Sequence, residues 1–416
     1  MRHFTFIESN TTGTGRLAVR QILERGDALT FVTRQSDKYP FLREPHARLR
    51  VLDVETNDLD ATHAAVEKVH RREPIDALLT FSTFYVPLVA RVASRLGLSY
   101  LNPEAATLCH EKHAMRERMR QTGLPHPEFW LLASEIEAET LAPSLPYPVI
   151  VKPTAESSSN GVVRVENAQA LLEHYRTLSA RKENERGQRV DGLVLVEGLI
   201  QGPEFSVETF TFPDRGTGRR TTVVGITEKH LSPPPFFVEM GHDFPAAIDA
   251  EARASLEEAT LAALDAVGFD FGPAHTELRL SAQGPVVIEI NPRLAGGMIP
   301  ELVRLATGID LLNAVLELPF GLTDLPAASR NDVASIRFIT SRESGTLASV
   351  RGLDRAREFD TVCEVAVEKK TGAPVRPATS ALDRLGYVIG RGGQRARVVA
   401  EVEEALRGIE LDLGPR

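Results

Sequence analysis

The segment PAHTELRLSAQGPVVIEINPRLAGG (273–297) gathers oxygen-bearing side chains at alternating positions. AHTELRL and VVIEIN read as two strands joined by SAQGP. If the turn centres on Gln283, Glu277 faces Glu289 directly, and Asn291 shares the face of Glu289. Arg279 shares the face of Glu277. Like charges directly opposed across a sheet are destabilising. A hard divalent cation relieves them, and an all-oxygen ligand set suits magnesium, which keeps water and substrate phosphates in its shell. The competing reading is the solvated face of an exposed hairpin. The Asn-Pro-Arg continuation and the Gly296-Gly297 pair favour a site.

Two further segments could handle a phosphorylated ligand. In VIVKPTAESSSNGV (149–162) a short apolar strand ends in Lys152, followed by Ser157, Ser158, Ser159, Asn160 and Gly161. Backbone N–H groups and hydroxyls in such a loop can cradle phosphate oxygens, with the lysine as a point charge. It is not a P-loop, because the sequence contains no Gly-Lys dipeptide. Taken alone, it also reads as an ordinary polar loop. In LVLVEGLIQGPEFSVE (193–208) an apolar strand runs to Glu197, breaks at Gly198, and resumes near Glu204. Main chain exposed by such a break can read an adenine edge, and a carboxylate beyond it can accept both ribose hydroxyls. A β-bulge or hairpin with solvent-facing acids fits the same residues.

The elements that must position these groups follow from the spacing of apolar residues. HFTFI (3–7), ALTFVT (28–33), RLRVLDV (48–54), IDALLTFS (75–82) and LGLSYLN (96–102) alternate with helical stretches such as RLAVRQILERG (16–26). That alternation predicts a parallel sheet with helices on both faces. A Pro-rich stretch from Pro125 to Pro153 marks a change of architecture. RGTGRRTT (215–222) reads as a hairpin loop, ARASLEEATLAALDAVG (252–268) as a helix stopped by Gly268, and RARVVAEVEEALRG (395–408) as a final helix.

The 416 residues suggest two or three compact units at roughly 150 residues each. A net charge of −9 argues against a dedicated nucleic-acid binder. The two cysteines, Cys109 and Cys363, form no metal-binding spacing and no disulfide framework. No apolar run is long enough to span a membrane, and the first residues lack a signal-peptide core, so the expected setting is cytoplasmic.

Taken together and in this order, VKP with its Ser/Gly loop, VEGLI-QGPEFSVE, and E-x11-E-x-N-P-R-x-x-GG resemble the ATP-grasp superfamily over roughly residues 100–320. HTELRL, FFVEMGHDFPA and GYVIGRGG are similar to its L-amino-acid ligases, carboxylate–amine ligases that make dipeptides. The resemblance implies an α/β fold: a Rossmann-like lobe (1–105), a small ATP-grasp subdomain with linker helix (106–205), a large subdomain with the metal site (206–325) and a C-terminal subdomain (326–416). It implies ATP and magnesium as cofactors, two ions in number, with manganese as a substitute. The partners it implies are a small carboxylate and a small amine, with no nucleic acid and no membrane, and a homodimer as the assembly to test.

Carried onto this chain, Lys112 and Lys152 resemble the nucleotide lysines. Glu197 and Ile200 resemble the adenine hinge and Glu204 the ribose acceptor. Glu277, Glu289 and Asn291 resemble the magnesium ligands, and Arg293 the arginine that steadies the acyl phosphate. Lys229 resembles a loop lysine reaching the γ-phosphate. Glu239 and His242 resemble polar residues of the amino-acid pocket, and either is a candidate base. The implied reaction is amide formation through an acyl phosphate with release of ADP and phosphate. Another ATP-grasp reaction, such as a carboxylase or nucleotide-biosynthesis ligase, stays open.

Other segments carry less. GTGRLA (13–18) fits the GxGxxA dinucleotide turn, but Thr33-Arg34 stand where an acid is expected, which leaves an NADP-dependent oxidoreductase as a minor alternative. His110-Glu-Lys-His113 misses the HExxH spacing and reads as one helix with Lys112. ARKENERGQR (180–189) reads as a mobile, solvated loop, and GRGGQRAR (390–397) as a turn before a helix.

Overall fold

The computed structural model describes residues 1–414 other than 12, 215 and 217. Strands β1 (His3–Ile7), β2 (Ala28–Thr33), β3 (Leu49–Asp53) and β4 (Ala77–Leu79) form a parallel sheet in the order β3-β2-β1-β4. Both faces are covered, as a parallel sheet requires. Phe4, Phe6 and Phe31 pack with Ala18, Val19 and Ile22 of helix α1 (Thr14–Glu24). Ile7 and Val32 face the other way, toward Val66 and Val69 of α2 (Leu59–Arg72) and Val89 and Val92 of α3 (Val86–Leu96).

LGLSYLN is not a fifth strand. Gly97, at φ +69, closes α3, and Asn102 caps α4 (Pro103–His110), accepting from the Ala105 N–H at 2.8 Å. Between two helix caps, too little chain is left to pair with the sheet. The histidine pair is divided as well: His110 ends α4, Glu111 is extended, and Lys112 begins α5 (Lys112–Gln121).

A second, antiparallel sheet is ordered β5-β8-β6-β7, from β5 (Phe129–Leu132), β6 (Val149–Pro153), β7 (Val163–Val165) and β8 (Val194–Gly198). Helices α6 (Glu135–Leu141) and α7 (Ala168–Ser179) cover it through Ala138, Leu171, Tyr175 and Leu178.

A large antiparallel sheet starts with β9 (Glu204–Asp214), β10 (Gly218–Leu231), β11 (Glu239–Phe244), β12 (Gly272–Ser281) and β13 (Gly284–Asn291). Helix α8 (Ala250–Ala266) packs Leu256, Ala263 and Leu264 against Ala274, Leu278 and Ile290. Most of the expected 215–222 loop is strand: β10 begins at Gly218, and positions 215 and 217 lie outside the described residues.

In the C-terminal region β14 (Val333–Ile339), β16 (Val362–Val367) and β18 (Gly386–Gly392) extend the same sheet, giving β13-β12-β9-β10-β11-β14-β18-β16. Strands β15 (Gly345–Arg351), β17 (Pro374–Val375) and β19 (Glu410–Gly414) make a separate sheet ordered β17-β15-β19.

The charged 180–189 segment is docked rather than free. Arg186 donates to the Ser9 carbonyl at 2.9 Å and the Tyr39 hydroxyl at 3.2 Å. Asn57 donates to the carbonyls of Arg186 and Gly187, Arg34 to that of Arg186, and Gln188 to that of Phe84. Charge density predicted solvation here, but main-chain carbonyls supply half of the bonding.

Candidate active site

The metal-type residues meet as the alternation predicted, by a route the sequence did not suggest. The hairpin turns at Ser281–Gly284, centred between Ala282 and Gln283 rather than on Gln283. A uniform ladder from that turn would set Glu277 against Ile288. Ile288 is instead an extra residue, a β-bulge, and beyond it Glu277 faces Glu289 and His275 faces Asn291. Fully buried Arg116 on α5 donates Nη2 to the Ile288 carbonyl at 2.6 Å and Nε to Glu197 at 2.8 Å. It thereby joins the linker helix, the second sheet and the bulge.

Cations balance these acids. The Lys229 ammonium lies 2.9 Å from each of Glu204, Glu239 and Glu277. Burial disfavours its charge, but the three carboxylates raise its pKa well above the ordinary lysine value. It stands on β10 rather than on a loop, and its three protons match its three carboxylate neighbours. Glu204 also accepts from Arg279 at 3.1 Å. His275 contacts Glu208 at 2.9 Å and Glu277 at 3.1 Å. Burial works against its charge, but the two acids hold its pKa up at about 9. Glu277 is half-buried, and although burial raises its carboxyl, Lys229 and His275 keep it below the usual range.

Lys112 donates to the Glu156 carbonyl at 2.6 Å and lies 3.2 Å from Glu289. Lys152 pairs with Glu197 at 2.6 Å, both buried at the end of the second sheet. Burial lowers the Lys152 pKa against the pull of Glu197, while Arg116 and Lys152 keep Glu197 below the carboxylate norm despite its burial. The Glu197 side chain is thus turned onto two cations, and the Glu197–Ile200 segment lines the cleft. The Ile200 carbonyl accepts from Arg279 at 3.1 Å.

Ser157, Ser158 and Ser159 form the opposite wall. Ser158 (φ +60) and Ser159 (φ +56) are both left-handed, a conformation that costs non-glycine residues of order 1–3 kcal/mol. They are held by the Ala381 N–H, which donates to the Ser158 carbonyl at 3.2 Å, and by Ser159 Oγ, which donates to the Phe237 carbonyl at 3.2 Å. Gly161 lies behind this wall, its carbonyl bonded to His174 at 2.9 Å.

These residues line a cleft. A second cavity adjoins it, and the two share Ser157, Ser158, Arg293, Gly296, Gly297, Ala381 and Arg384. Arg293 contacts Thr83 Oγ1 and donates to the Leu294 carbonyl at 2.9 Å and to Asn291 Oδ1 at 3.1 Å. Among the described residues it makes no ion pair, and burial lowers its pKa.

His242 is fully buried, and neither ring nitrogen has a hydrogen-bond partner among the described residues. Its Nε2 lies 3.7 Å from Glu239. Burial pushes its pKa down to about 3, so the ring is neutral near pH 7, and it lies behind Gly297 rather than in the lining of either cavity. Gly297 permits this approach: a Cβ there would fall 2.5 Å from His242 Nε2.

The GTGRLA turn contributes Gly13 and Thr14 to the second cavity. Arg34, which with Thr33 stands where the dinucleotide alternative expects an acid, is engaged by Glu55 at 3.0 Å and by the docked 180–189 segment. His110 is half-buried and desolvation lowers its pKa to about 4, and buried His113 Nδ1 has no partner among the described residues.

Sequence reasoning missed Arg116, Arg384, Glu208 and His275. Arg116 sits four residues after Lys112, on the same helix face, but in KHAMRERMRQ nothing distinguishes it from Arg118 and Arg120. Arg384 sits in no motif.

Comparison with known proteins agrees with this geometry. A model of the ATP-grasp domain matches residues 145–301, one of the ATP-grasp N-terminal domain matches 24–99, and one of the L-amino acid ligase C-terminal domain 2 matches 337–414. The chain belongs to the ATP-grasp superfamily. Within it, the chain is a carboxylate–amine ligase of the L-amino acid ligase family.

The crystal structure of an L-amino acid ligase from Bacillus licheniformis is 25% identical, with a TM-score of 0.87 covering 100% of this chain and 99% of that one. Uncharacterized protein y4rH of Sinorhizobium fredii is 29% identical over 88% of this chain and 74% of its own length. Carnosine synthase 1 of Gallus gallus is 30% identical over 67% of this chain, which spans only 32% of that longer protein. The ATP-grasp fold binds ATP with magnesium, and the opposed Glu277, Glu289 and Asn291 are the hard oxygen donors that ion prefers. Among the described residues no helix is long and apolar enough to cross a membrane.

Proposed function

We propose that the protein joins a small carboxylic acid to a small amine, both drawn from amino acids, through an acyl phosphate. The observation that carries this reading is Arg293. It is a guanidinium without an ion-pair partner among the described residues, at the junction of the cleft lined by Lys112, Lys152 and Glu289 and a second cavity. Its planar fork suits a carboxylate, and later the oxyanion that forms when an amine adds to the acyl carbon.

In the first step a carboxylate oxygen attacks the γ-phosphorus and the bond to the β-phosphate oxygen breaks, releasing ADP. In the second the free amine attacks the acyl carbon, phosphate leaves, and the nitrogen loses a proton. Neutral His242 is the group we assign to receive it, with Glu239 alongside to stabilise the imidazolium. Magnesium, for which two ions are expected, would be held by Glu277, Glu289 and Asn291 and would neutralise charge developing on the phosphates. Lys112 and Lys152 add fixed positive charge, and Glu204 is assigned to the ribose. Lys229 we assign to organising Glu204, Glu239 and Glu277, in place of the γ-phosphate contact expected from sequence. The Ser157–Ser159 wall excludes water, which would otherwise hydrolyse the acyl phosphate.

Incubation with ATP, magnesium and an amino-acid mixture tests this. ADP and phosphate should appear in equal amounts with amide products in the mass spectrum. AMP and pyrophosphate as stoichiometric products would reject the reading.

A further inference from the structure

Resting on the reading of Glu277, Glu289 and Asn291 as magnesium ligands, we propose that Glu208 is a positioning residue for the metal. Acting through His275, it fixes the aim of Glu277 and so sets how strongly magnesium and nucleotide bind together.

Three neighbouring strands carry a polar face in two rows. Glu208 on β9, His275 on β12 and Asn291 on β13 stand opposite one another in the first row. Ser206, Glu277 and Glu289 occupy the same strands in the second. Two residues beyond Glu208, Phe210 already lies in an apolar core. Glu208 is therefore the last polar group of this face.

Glu208 is buried and belongs to the lining of neither cavity, whereas His275, Glu277, Glu289 and Asn291 all line the cleft. A carboxylate taken out of water is costly unless it is paired and hydrogen-bonded. Among the described residues its side chain has two partners. Ser206 donates to Oε1 at 2.8 Å, and His275 Nδ1 donates to Oε1 at 2.9 Å and Oε2 at 3.1 Å. Both carboxylate oxygens are thus turned onto one ring nitrogen, which orients the imidazole.

The other end of the ring reaches Glu277. His275 Nε2 donates to Glu277 Oε1 at 3.1 Å, and Lys229 on β10 holds Glu277 Oε2 at 2.9 Å. Each Glu277 oxygen has one fixed donor, and the lone pairs left over point in a direction those two donors set. Magnesium demands near-ideal octahedral geometry. A Glu277 carboxylate released on one side would hold the ion less well, although no group touching the ion had been removed.

The test uses full-length protein and titration calorimetry with ADP, in magnesium and in EDTA. The ratio of the two affinities measures how far metal and nucleotide binding are coupled. Glu208→Leu keeps bulk beside the core and removes both acceptors. It should lower the ratio by at least about tenfold, the lower end for losing a group that orients a metal ligand. ADP affinity in EDTA should stay within about twofold of wild type. Near-isosteric Glu208→Gln keeps one acceptor where there were two, so it should lower the ratio by about threefold, and it supplies a result even if Glu208→Leu fails to fold. Adding either change to His275→Gln should lower the ratio by less than about twofold more, because the path through the ring is already cut. A wild-type ratio in every folded Glu208 variant overturns the proposal. Equal weakening with and without magnesium also overturns it, because that is the pattern of a purely structural residue, and so do losses that multiply in the double variant. A wild-type ratio near unity defeats the magnesium reading itself, and the proposal with it.

Discussion

Glu277 stands directly opposite Glu289 because the strand carrying Glu289 has one residue more than its partner. Without that bulge Glu289 would shift by one position, and a one-residue shift turns a side chain to the other face of a sheet. The Arg116 contact to the Ile288 carbonyl braces the bulge, so a buried guanidinium on the linker helix governs the spacing of two carboxylates it does not touch.

Arg116→Met should therefore do two things. It should destabilise the fold by less than the about 3–5 kcal/mol expected when a buried charge is left unpaired, because Lys152 still pairs with Glu197. It should also raise the magnesium concentration needed for half-maximal turnover. Thermal melts and magnesium titrations on the same sample check this; unchanged magnesium dependence would show that the bulge holds without Arg116.

Glu289→Gln should cut turnover by at least about 100-fold, on the scale of one lost electrostatic partner in an active site. Stability should barely change, because Lys112 keeps its bond to the Glu156 carbonyl. Wild-type turnover at saturating magnesium would sink the metal assignment.

Arg293→Lys separates chemistry from scaffolding. It should bind ATP almost normally yet lose amide formation by about 10- to 1,000-fold, the range for one oxyanion donor. If Arg293 instead only braces the Gly296-Gly297 turn through the Leu294 carbonyl, the melting temperature should fall and every activity should decline together. ATP affinity, melting temperature and amide yield measured on one preparation decide between them.

Asp243 gives a pH signature away from the cleft. Burial raises its pKa, but His230 at 2.8 Å and Arg337 at 2.8 Å outweigh that and hold the carboxyl below the ordinary aspartate value. A depressed folded-state pKa contributes stability that is complete above the unfolded value, near pH 4, and is lost as pH falls further. Asp243→Asn should therefore lower the melting temperature at pH 7 and flatten its decline between about pH 5 and pH 2. An acid limb as steep as the wild type's would remove Asp243 from the explanation.

The site was legible in sequence where local periodicity fixes direction. Glu277, Glu289 and Asn291 alternate along strands, and Lys152 and Glu197 end apolar runs. Even there the turn was misplaced, and the bulge that corrects it has no sequence signature beyond an ordinary isoleucine. What could not be read is long-range. Arg384 and Glu239 are joined across 145 positions, and Arg116 and Ile288 across 172. The 180–189 segment misled for a related reason: its side chains advertise solvent, whereas its carbonyls are bonded to the first lobe. LGLSYLN has strand-like composition, but two helix caps consume its length.

Two loops that flank the second sheet are tethered at separated points. Ser158 is bonded to Ala381, and six hydrogen bonds tie residues 184–189 to the first lobe. At about 1 kcal/mol net for each bond, swinging that sheet away as a rigid flap would cost several kcal/mol. Any opening would then require unlatching first, with the two latches on different neighbours, and the latch at Ala381 ties the Ser157–Ser159 wall to the same turn that carries Arg384.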